Sequence, residues 1–298
     1  MIEDSFLVDL IKKPDLISKL DFEKISEILG MVRDIFEKEN LLLEFSIENS
    51  EDIFVIGDIH GNMETLMKIM EFIEKEKPKF VISLGDIVDR GPKQLECLIL
   101  VLALKILKPN QFFILQGNHE TFDMNNYYGF LNEFIRKFKD PNKFKEILAV
   151  YNVLPICAVI NNSILCLHGG IPENEHILKQ LKGLKHSDLD DLVQKTIGID
   201  LFQIMWNDPK ETGVSGFSQS FRGPGIFFFG KDAFKNFMES NNLKYLIRAH
   251  ECFPEGYRWF FDKRLLSIFS AANYRGPNSN PASYAVIKNN KIFLKTLK

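Results

Sequence analysis

Apolar side chains recur at three- and four-residue steps through the start of the chain. Phe22, Ile25, Ile28, Leu29, Val32, Ile35 and Phe36 form one stripe behind Asp21, which stands where a helix N-cap belongs. Pro14 and Gly30 are the only turn residues in this stretch, so residues 1–49 are expected to form a helical cover. From Asp52 the pattern shortens. Ile53–Ile56 runs into Gly57, Phe80–Leu84 into Gly85 and Phe112–Leu115 into Gly117, with amphipathic helices predicted at Met63–Lys75 and Leu95–Leu107 between them. This alternation is the mark of a sheet covered by helices. Ile156–Ile160 and Ile164–Leu167 flank Asn161-Asn162-Ser163 and predict a hairpin, so the sheet is not purely parallel. Later strands are expected at Tyr245–Ile247, Trp259–Phe261 and Leu265–Phe269, with a last hairpin, Ala282–Ile287 and Lys291–Leu294, around Asn289-Asn290. No repeat and no linker interrupts the chain. The expected architecture is one mixed α/β domain over residues 1–298, its core at residues 50–298.

Composition narrows the possibilities. The 298 residues are 45% hydrophobic and 26% charged, which excludes disorder, collagen and coiled coil. Thirty-seven basic against 40 acidic residues leave a formal charge of −3 without any basic block, so nucleic-acid binding by bulk electrostatics is disfavoured. An anionic substrate would have to be held by local charge. The most apolar run, Leu98–Leu107, contains Lys105 and is too short to span a bilayer, so it predicts a buried helix. Met1-Ile2-Glu3-Asp4-Ser5 has acids where a secretion signal carries positive charge. Cys97, Cys157, Cys166 and Cys252 lie at no metal-type spacing, and the two in strand-like runs read as small core residues. A reducing, cytoplasmic setting without membrane is expected.

The unusual residues fall at strand ends. Four of the six histidines sit in such places: His60 in Gly57-Asp58-Ile59-His60-Gly61, His119 in Gly117-Asn118-His119-Glu120, His168 in His168-Gly169-Gly170 and His250 in Arg248-Ala249-His250. His176 and His186 lie in polar, helix-like surroundings and read as solvated. Taken singly, Gly-Asp after a strand is an ordinary turn, and a strand-end histidine an ordinary hydrogen-bonded side chain. Their common direction argues otherwise. Successive strands deliver Asp58 and His60, then Asp86, Asp89 and Arg90, then Asn118 and His119, then His168, at the ends where open α/β sheets build their sites. At an extended strand end, residues i and i+2 point the same way, so Asp58 and His60 can grip one ion. Carboxylate, imidazole and amide oxygen without thiolate suit a divalent Mn, Fe or Zn ion. The ligands are too many for one tetrahedral ion, and Asp86, central in order, is the natural bridge of a two-metal site.

These segments, with Gly85-Asp86-Ile87-Val88-Asp89-Arg90-Gly91, Leu154-Pro155 and Ser270-Ala271-Ala272-Asn273-Tyr274, resemble in order the motifs of the phosphoprotein phosphatase family of metal-dependent Ser/Thr phosphatases. The resemblance runs from about residue 50 to the end. Trp206-Asn207-Asp208-Pro209, and Phe221-Arg222-Gly223 through Phe229-Gly230, look like two further family segments. The resemblance implies a calcineurin-like metallophosphoesterase fold, a central mixed β-sandwich flanked by helices. It implies that Asp58, His60 and Asp86 hold one metal ion, and that Asp86, Asn118, His168 and His250 hold a second. It implies that Arg90 and Arg222 bind phosphate with Asn118, that His119, oriented by Asp89, protonates the leaving group, and that Tyr274 overhangs the site. Phosphoserine and phosphothreonine in proteins or peptides would be hydrolysed by direct attack of a metal-bridging hydroxide, so no nucleophilic cysteine is needed. Arg248 is expected to be structural.

The same metal motifs serve dinucleoside-polyphosphate and other small-molecule phosphoesterases, which is the alternative. Arg248-Ala249-His250 and Ser270 to Tyr274 favour the protein-directed branch. The chain departs from the family pattern at Ala272, at Arg275 where a cysteine is common, at Ile171-Pro172-Glu173 and at Asn126. No regulatory tail is expected after Leu297, which is closer to compact archaeal-type members.

Overall fold

A computed structural model describes residues 2–189 and 191–297. Helices α1 (Asp4–Lys12) and α2 (Phe22–Phe36) lie where the N-terminal stripe predicts helix, but residues 1–49 are not helical throughout, because Leu42–Phe45 is a strand that pairs with Cys157–Ile160. The Asp21 carboxylate accepts the Lys24 N–H at 2.9 Å, a cap that contributes ~1 kcal/mol. Ile25, Ile28, Leu29, Val32 and Phe36 are all buried. Next come β1 (Leu42–Phe45), β2 (Ile53–Ile56), α3 (Met63–Glu76), β3 (Phe80–Ser83), α4 (Gln94–Leu107) and β4 (Phe112–Ile114). α4 is buried nearly all round, and α1 and α2 pack against it. No helix among the described residues is long and apolar enough to cross a membrane.

Three helices follow, α5 (Phe122–Tyr128), α6 (Phe130–Phe138) and α7 (Lys145–Tyr151), and then the hairpin of β5 (Cys157–Ile160) and β6 (Ile164–Leu167). Asn161 and Asn162 both adopt φ +49°, the left-handed pair that a tight hairpin needs and asparagine tolerates. The chain continues through α8 (Ile177–Leu181), α9 (Asp191–Trp206) and the short strands β7 (Asp208–Pro209), β8 (Phe217–Gln219) and β9 (Phe227–Phe229). It ends with α10 (Lys231–Ser240), β10 (Tyr245–Arg248), β11 (Tyr257–Phe260), β12 (Leu265–Ile268), β13 (Ala282–Lys288) and β14 (Lys291–Leu297). Phe261, expected in a strand, instead begins a left-handed turn with Asp262 and Lys263. Its buried ring anchors that turn 5.0 Å from the Phe234 ring.

The strands form a five-stranded sheet, β14-β13-β2-β3-β4, and a six-stranded sheet, β1-β5-β6-β10-β12-β11, both of mixed direction, with a small sheet β7-β9-β8 beside them. The pleat explains the packing. Ile53 and Val55 of β2 enter the core between the large sheets, where they join Ile164 and Cys166 of β6, whereas Phe54 and Ile56 face the helical layer. Each such apolar side chain removed from water contributes roughly 1.5–3 kcal/mol. The helix–sheet–sheet–helix stack brings the C-terminal ends of β2, β3, β4, β6 and β10 to one rim.

Candidate metal centre

Each catalytic candidate is delivered by the loop that follows one of these strands. Asp58 and His60 follow β2, and Asp86, Asp89 and Arg90 follow β3; Asn118 and His119 follow β4, His168 follows β6, His250 follows β10 and Tyr274 follows β12. The loops are tightly wound. His60, Asp86, Asp89, Arg90 and His250 all have left-handed φ between +46° and +71°, a conformation that costs non-glycine residues energy and gathers at functional sites. The extended geometry expected at Asp58–His60 is therefore absent, because β2 has already ended at Ile56. A turn at His60, rather than strand alternation, brings its Nε2 to 3.5 Å from Asp58 Oδ2. Gly117 has no side chain for a similar reason: a Cβ there would overlap the Asp86 carboxylate.

Backbone amides tie one oxygen of each metal-facing carboxylate and leave the other free. Asp58 Oδ1 accepts the His250 N–H at 2.9 Å, and Asp86 Oδ1 accepts the His119 N–H at 2.9 Å. Asp58 Oδ2 is buried without a hydrogen-bond partner. Asp86 Oδ2 lies 3.6 Å from His60 Nε2 and 3.4 Å from His168 Nε2. Both rings spend their Nδ1–H on a backbone carbonyl, His60 on Val88 at 2.9 Å and His168 on Leu84 at 2.9 Å. Each Nε2 is thus left facing carboxylate oxygens. Asn118 Oδ1 lies 2.9 Å from His168 Nε2 and 2.8 Å from His250 Nδ1, and these two nitrogens are 3.1 Å apart.

So many converging acceptors demand positive charge among them. Burial opposes protonation of His60, but the nearby Asp58 and Asp86 carboxylates overcome it and push the imidazole up to about 9. His250 goes the other way: burial, then the Arg222 charge, holds it well below the ordinary histidine range. Two groupings lie close enough to hold an ion, His60 with Asp86 and His119, and Asp86 with His168 and His250. Carboxylate, imidazole and amide donors without thiolate, together with the orphaned Asp58 oxygen, fit divalent cations of the borderline-hard kind.

Above the acceptors opens a cavity of about 530 Å³ lined by His60, Asp86, Asn118, His119, Arg90 and Arg222, among others. Asp89, fully buried, accepts the Phe130 N–H at 3.0 Å on Oδ1, and on Oδ2 meets Asn125 Nδ2 at 2.9 Å and His119 Nδ1 at 2.7 Å. His119 Nε2 faces inward, 3.9 Å from Asp86. The exposed Arg90 guanidinium lies 3.9 Å from the Tyr128 ring centre, and the Tyr274 ring stacks on His60 at 5.0 Å. Arg222 Nε donates to Asp208 at 2.6 Å. Arg248 is fully buried and consumed by Gly169 O, Asp208 and Glu251, as a structural residue would be.

Several contributors escaped sequence reasoning. Glu120 closes the cradle, accepting the N–H groups of Asp86 and Gly117 on Oε2 at 2.8 and 2.9 Å and that of Ile87 on Oε1 at 2.9 Å. Burial, with Asp86 nearby, pushes its carboxyl up to about 7. Asn125 and Tyr128 come from α5, whereas Trp206 on α9 and Phe221 in the loop after β8 open the two further segments of the family resemblance and line the cavity wall. Cys252, for which the sequence suggested no role, is half-buried in the cavity wall. His186 is not simply solvated: it is half-buried with Nε2 2.7 Å from Leu154 O.

A two-sheet sandwich that gathers carboxylates, imidazoles and two arginines at one strand-end rim is the arrangement of a metallophosphoesterase. The chain belongs to the Calcineurin-like phosphoesterase family, whose model matches residues 52–254. It is 34% identical over 255 residues to the serine/threonine-protein phosphatase rdgC of Drosophila melanogaster, covering 80% of this chain and 38% of that protein. The chain thus spans about two fifths of the length of that relative. It is also similar to a protein serine/threonine phosphatase structure from Saccharomyces cerevisiae described as similar to human phosphatase PP5: TM-score 0.84, 26% identity, 100% of this chain and 96% of the other. A cold-active protein-tyrosine phosphatase of a psychrophilic Shewanella shares the fold at TM-score 0.59 and 17% identity, over 89% of this chain and 84% of that one.

Proposed function

We propose that the chain is a protein serine/threonine phosphatase, hydrolysing phosphoserine and phosphothreonine monoesters in proteins or peptides. The observation that carries this reading is the open cavity lined by His60, Asp86, Asn118 and His250 together with Arg90 and Arg222, where His250 Nε2 and the nearby Asp58 Oδ2 are buried without a hydrogen-bond partner. The likeness to rdgC, itself named a serine/threonine-protein phosphatase, supports the protein-directed branch. Four free thiols fit a reducing, cytoplasmic setting.

Asp58, His60 and Asp86 would hold one divalent ion, and Asp86, Asn118, His168 and His250 the other. Asp58 is preferred over His119 for the first because its Oδ2 has no other partner, whereas His119 is drawn to Asp89. When bound, such ions supply Lewis-acid charge and acidify water enough for it to act as nucleophile near neutral pH. The planar forks of Arg90 and Arg222 match phosphate oxygens. With Arg222 Nε engaged by Asp208, its terminal nitrogens remain for the substrate. His119 keeps Nδ1–H on Asp89 and carries on Nε2 the proton that the departing serine oxygen needs. Asp89, fixed by Asn125 and the Phe130 amide, holds that ring in place.

The test is turnover of phosphoserine, phosphothreonine and phosphotyrosine peptides and of a dinucleoside polyphosphate by purified protein supplied in turn with Mn, Fe or Zn. Phosphoserine and phosphothreonine peptides should be the substrates. Hydrolysis of the dinucleotide alone would overturn the reading.

A further inference from the structure

Beside the catalytic cavity lies a second hollow, of about 360 Å³, which shares Phe221 and Glu251 with it. Its walls are Phe228, Phe253 and Phe260 with Lys210 and Arg258. Phe221, 87% exposed, stands between the two spaces, its ring 5.3 Å from that of Phe228. Cations cap the aromatic faces: Lys210 Nζ lies 4.7 Å from the Phe228 ring centre, and the Arg258 guanidinium 4.1 Å from that of Phe253.

The acids nearby are largely committed elsewhere. Glu211 Oε2 accepts the Phe261 N–H at 3.0 Å, and Glu251 Oε2 accepts from buried Arg248 at 2.8 Å. Glu255 lies 3.9 Å from Arg258, a weak surface pair. Lys210 makes no ion pair among the described residues. The hollow is therefore aromatic, and Lys210 is the cation on its wall that no carboxylate pairs among the described residues.

We propose that this hollow receives the residues flanking the phosphorylated serine or threonine of a protein substrate, and selects an aromatic or large aliphatic side chain with a carboxylate beside it. The proposal rests on the protein phosphatase reading. Continuity supports it: Phe221 precedes Arg222 in the chain, so a peptide whose phosphate meets Arg222 passes over the Phe221 ring. An extended peptide advances ~3.3–3.6 Å per residue, which puts the hollow within a few residues of the phosphate. Exposed aromatic surface gathered at a site gains by covering, and a carboxylate complements the Lys210 charge.

The experiment compares kcat/KM for phosphoserine peptides that carry Phe and Glu, Phe and Lys, Ala and Glu, or Ala and Lys on each side of the phosphoserine. The Phe/Glu peptide should be preferred over the Ala/Lys peptide ~10-fold, mainly through KM, the size expected of one covered ring. Phe221→Ala should pull the Phe-over-Ala ratio toward one, and Lys210→Glu should reverse the Glu-over-Lys ratio. Both positions are exposed, and circular dichroism checks that each variant is folded. Equal rates on all four peptides, a preference for Ala/Lys, or ratios unmoved by either variant would overturn the groove while leaving the phosphatase reading intact. If p-nitrophenyl phosphate is hydrolysed but no phosphopeptide is, the phosphatase reading falls and the groove with it.

Discussion

The Asp89 carboxylate lies 2.7 Å from Nδ1 of His119, and that ring's other nitrogen looks into the cavity. A serine alkoxide leaves only with a proton, whereas a nitrophenolate leaves without one. His119→Asn should therefore cost ~10²- to 10⁴-fold in kcat on a phosphoserine peptide and clearly less on p-nitrophenyl phosphate, measured at equal metal content. Asp89→Asn should show the same split, more weakly. Equal losses on both substrates would make the pair purely structural.

Asp86 stands in both groupings of possible ligands, so Asp86→Asn should reduce bound metal at two positions, whereas Asn118→Ala should affect one. Elemental analysis after gel filtration counts the ions. Exhaustive chelation of the unaltered chain should abolish turnover, and divalent metal should restore it.

Glu120 holds three backbone N–H groups with two oxygens. A glutamine has one oxygen and turns an amide toward donors, so Glu120→Gln should slacken the cradle around Asp86. Metal affinity should fall ~10- to 100-fold by calorimetric titration, the usual cost of losing a ligand's own support. An unchanged affinity would dismiss Glu120 from this role.

Lys105 is fully buried on α4 against Glu39 and the Pro109 carbonyl. Burial lowers the Lys105 pKa and raises that of Glu39, so the charged pair is tolerated rather than favoured. Glu39→Gln alone should cost about 3–5 kcal/mol in urea unfolding, while Glu39→Gln with Lys105→Met should recover most of it. Additive losses would contradict the pairing.

Among the thiols, Cys97, Cys157 and Cys166 are buried, and only Cys252 reaches the cavity. Burial pushes the Cys252 thiol up to about 11, so its alkylation should be slow near neutral pH and should accelerate as pH rises toward that value. Peptide mapping after iodoacetamide treatment of the folded protein should find the label on Cys252 alone. Prior labelling of Cys157 or Cys166 would refute the burial described here.

The strand ends were legible because glycines and polar residues interrupt short apolar runs, so Asp58, Asp86, Asn118 and His168 could be read in order from one dimension. What escaped was set by the third dimension. Asn125 and Tyr128 reach the site because α5 folds back over the β3 loop, and no local pattern marks them. His60 meets Asp58 through a left-handed turn that its residue type does not announce. Phe261 looked like the end of a strand because a buried aromatic has the same signature in a turn. Lys105 was visible as an odd residue in an apolar run, but its partner Glu39 lies 66 positions away.

The ligands proposed for the second ion come from opposite sides of the sandwich. Asp86 and Asn118 follow strands of the five-stranded sheet, and His168 and His250 follow strands of the six-stranded one. An ion gripped by all four would fasten the two sheets at their shared rim, as a rivet fastens two plates. Metal would then govern endurance as well as chemistry: at a free concentration 100 times its dissociation constant, it would add ~2.7 kcal/mol against unfolding. A cell short of the metal would hold a chain both idle and easier to unravel.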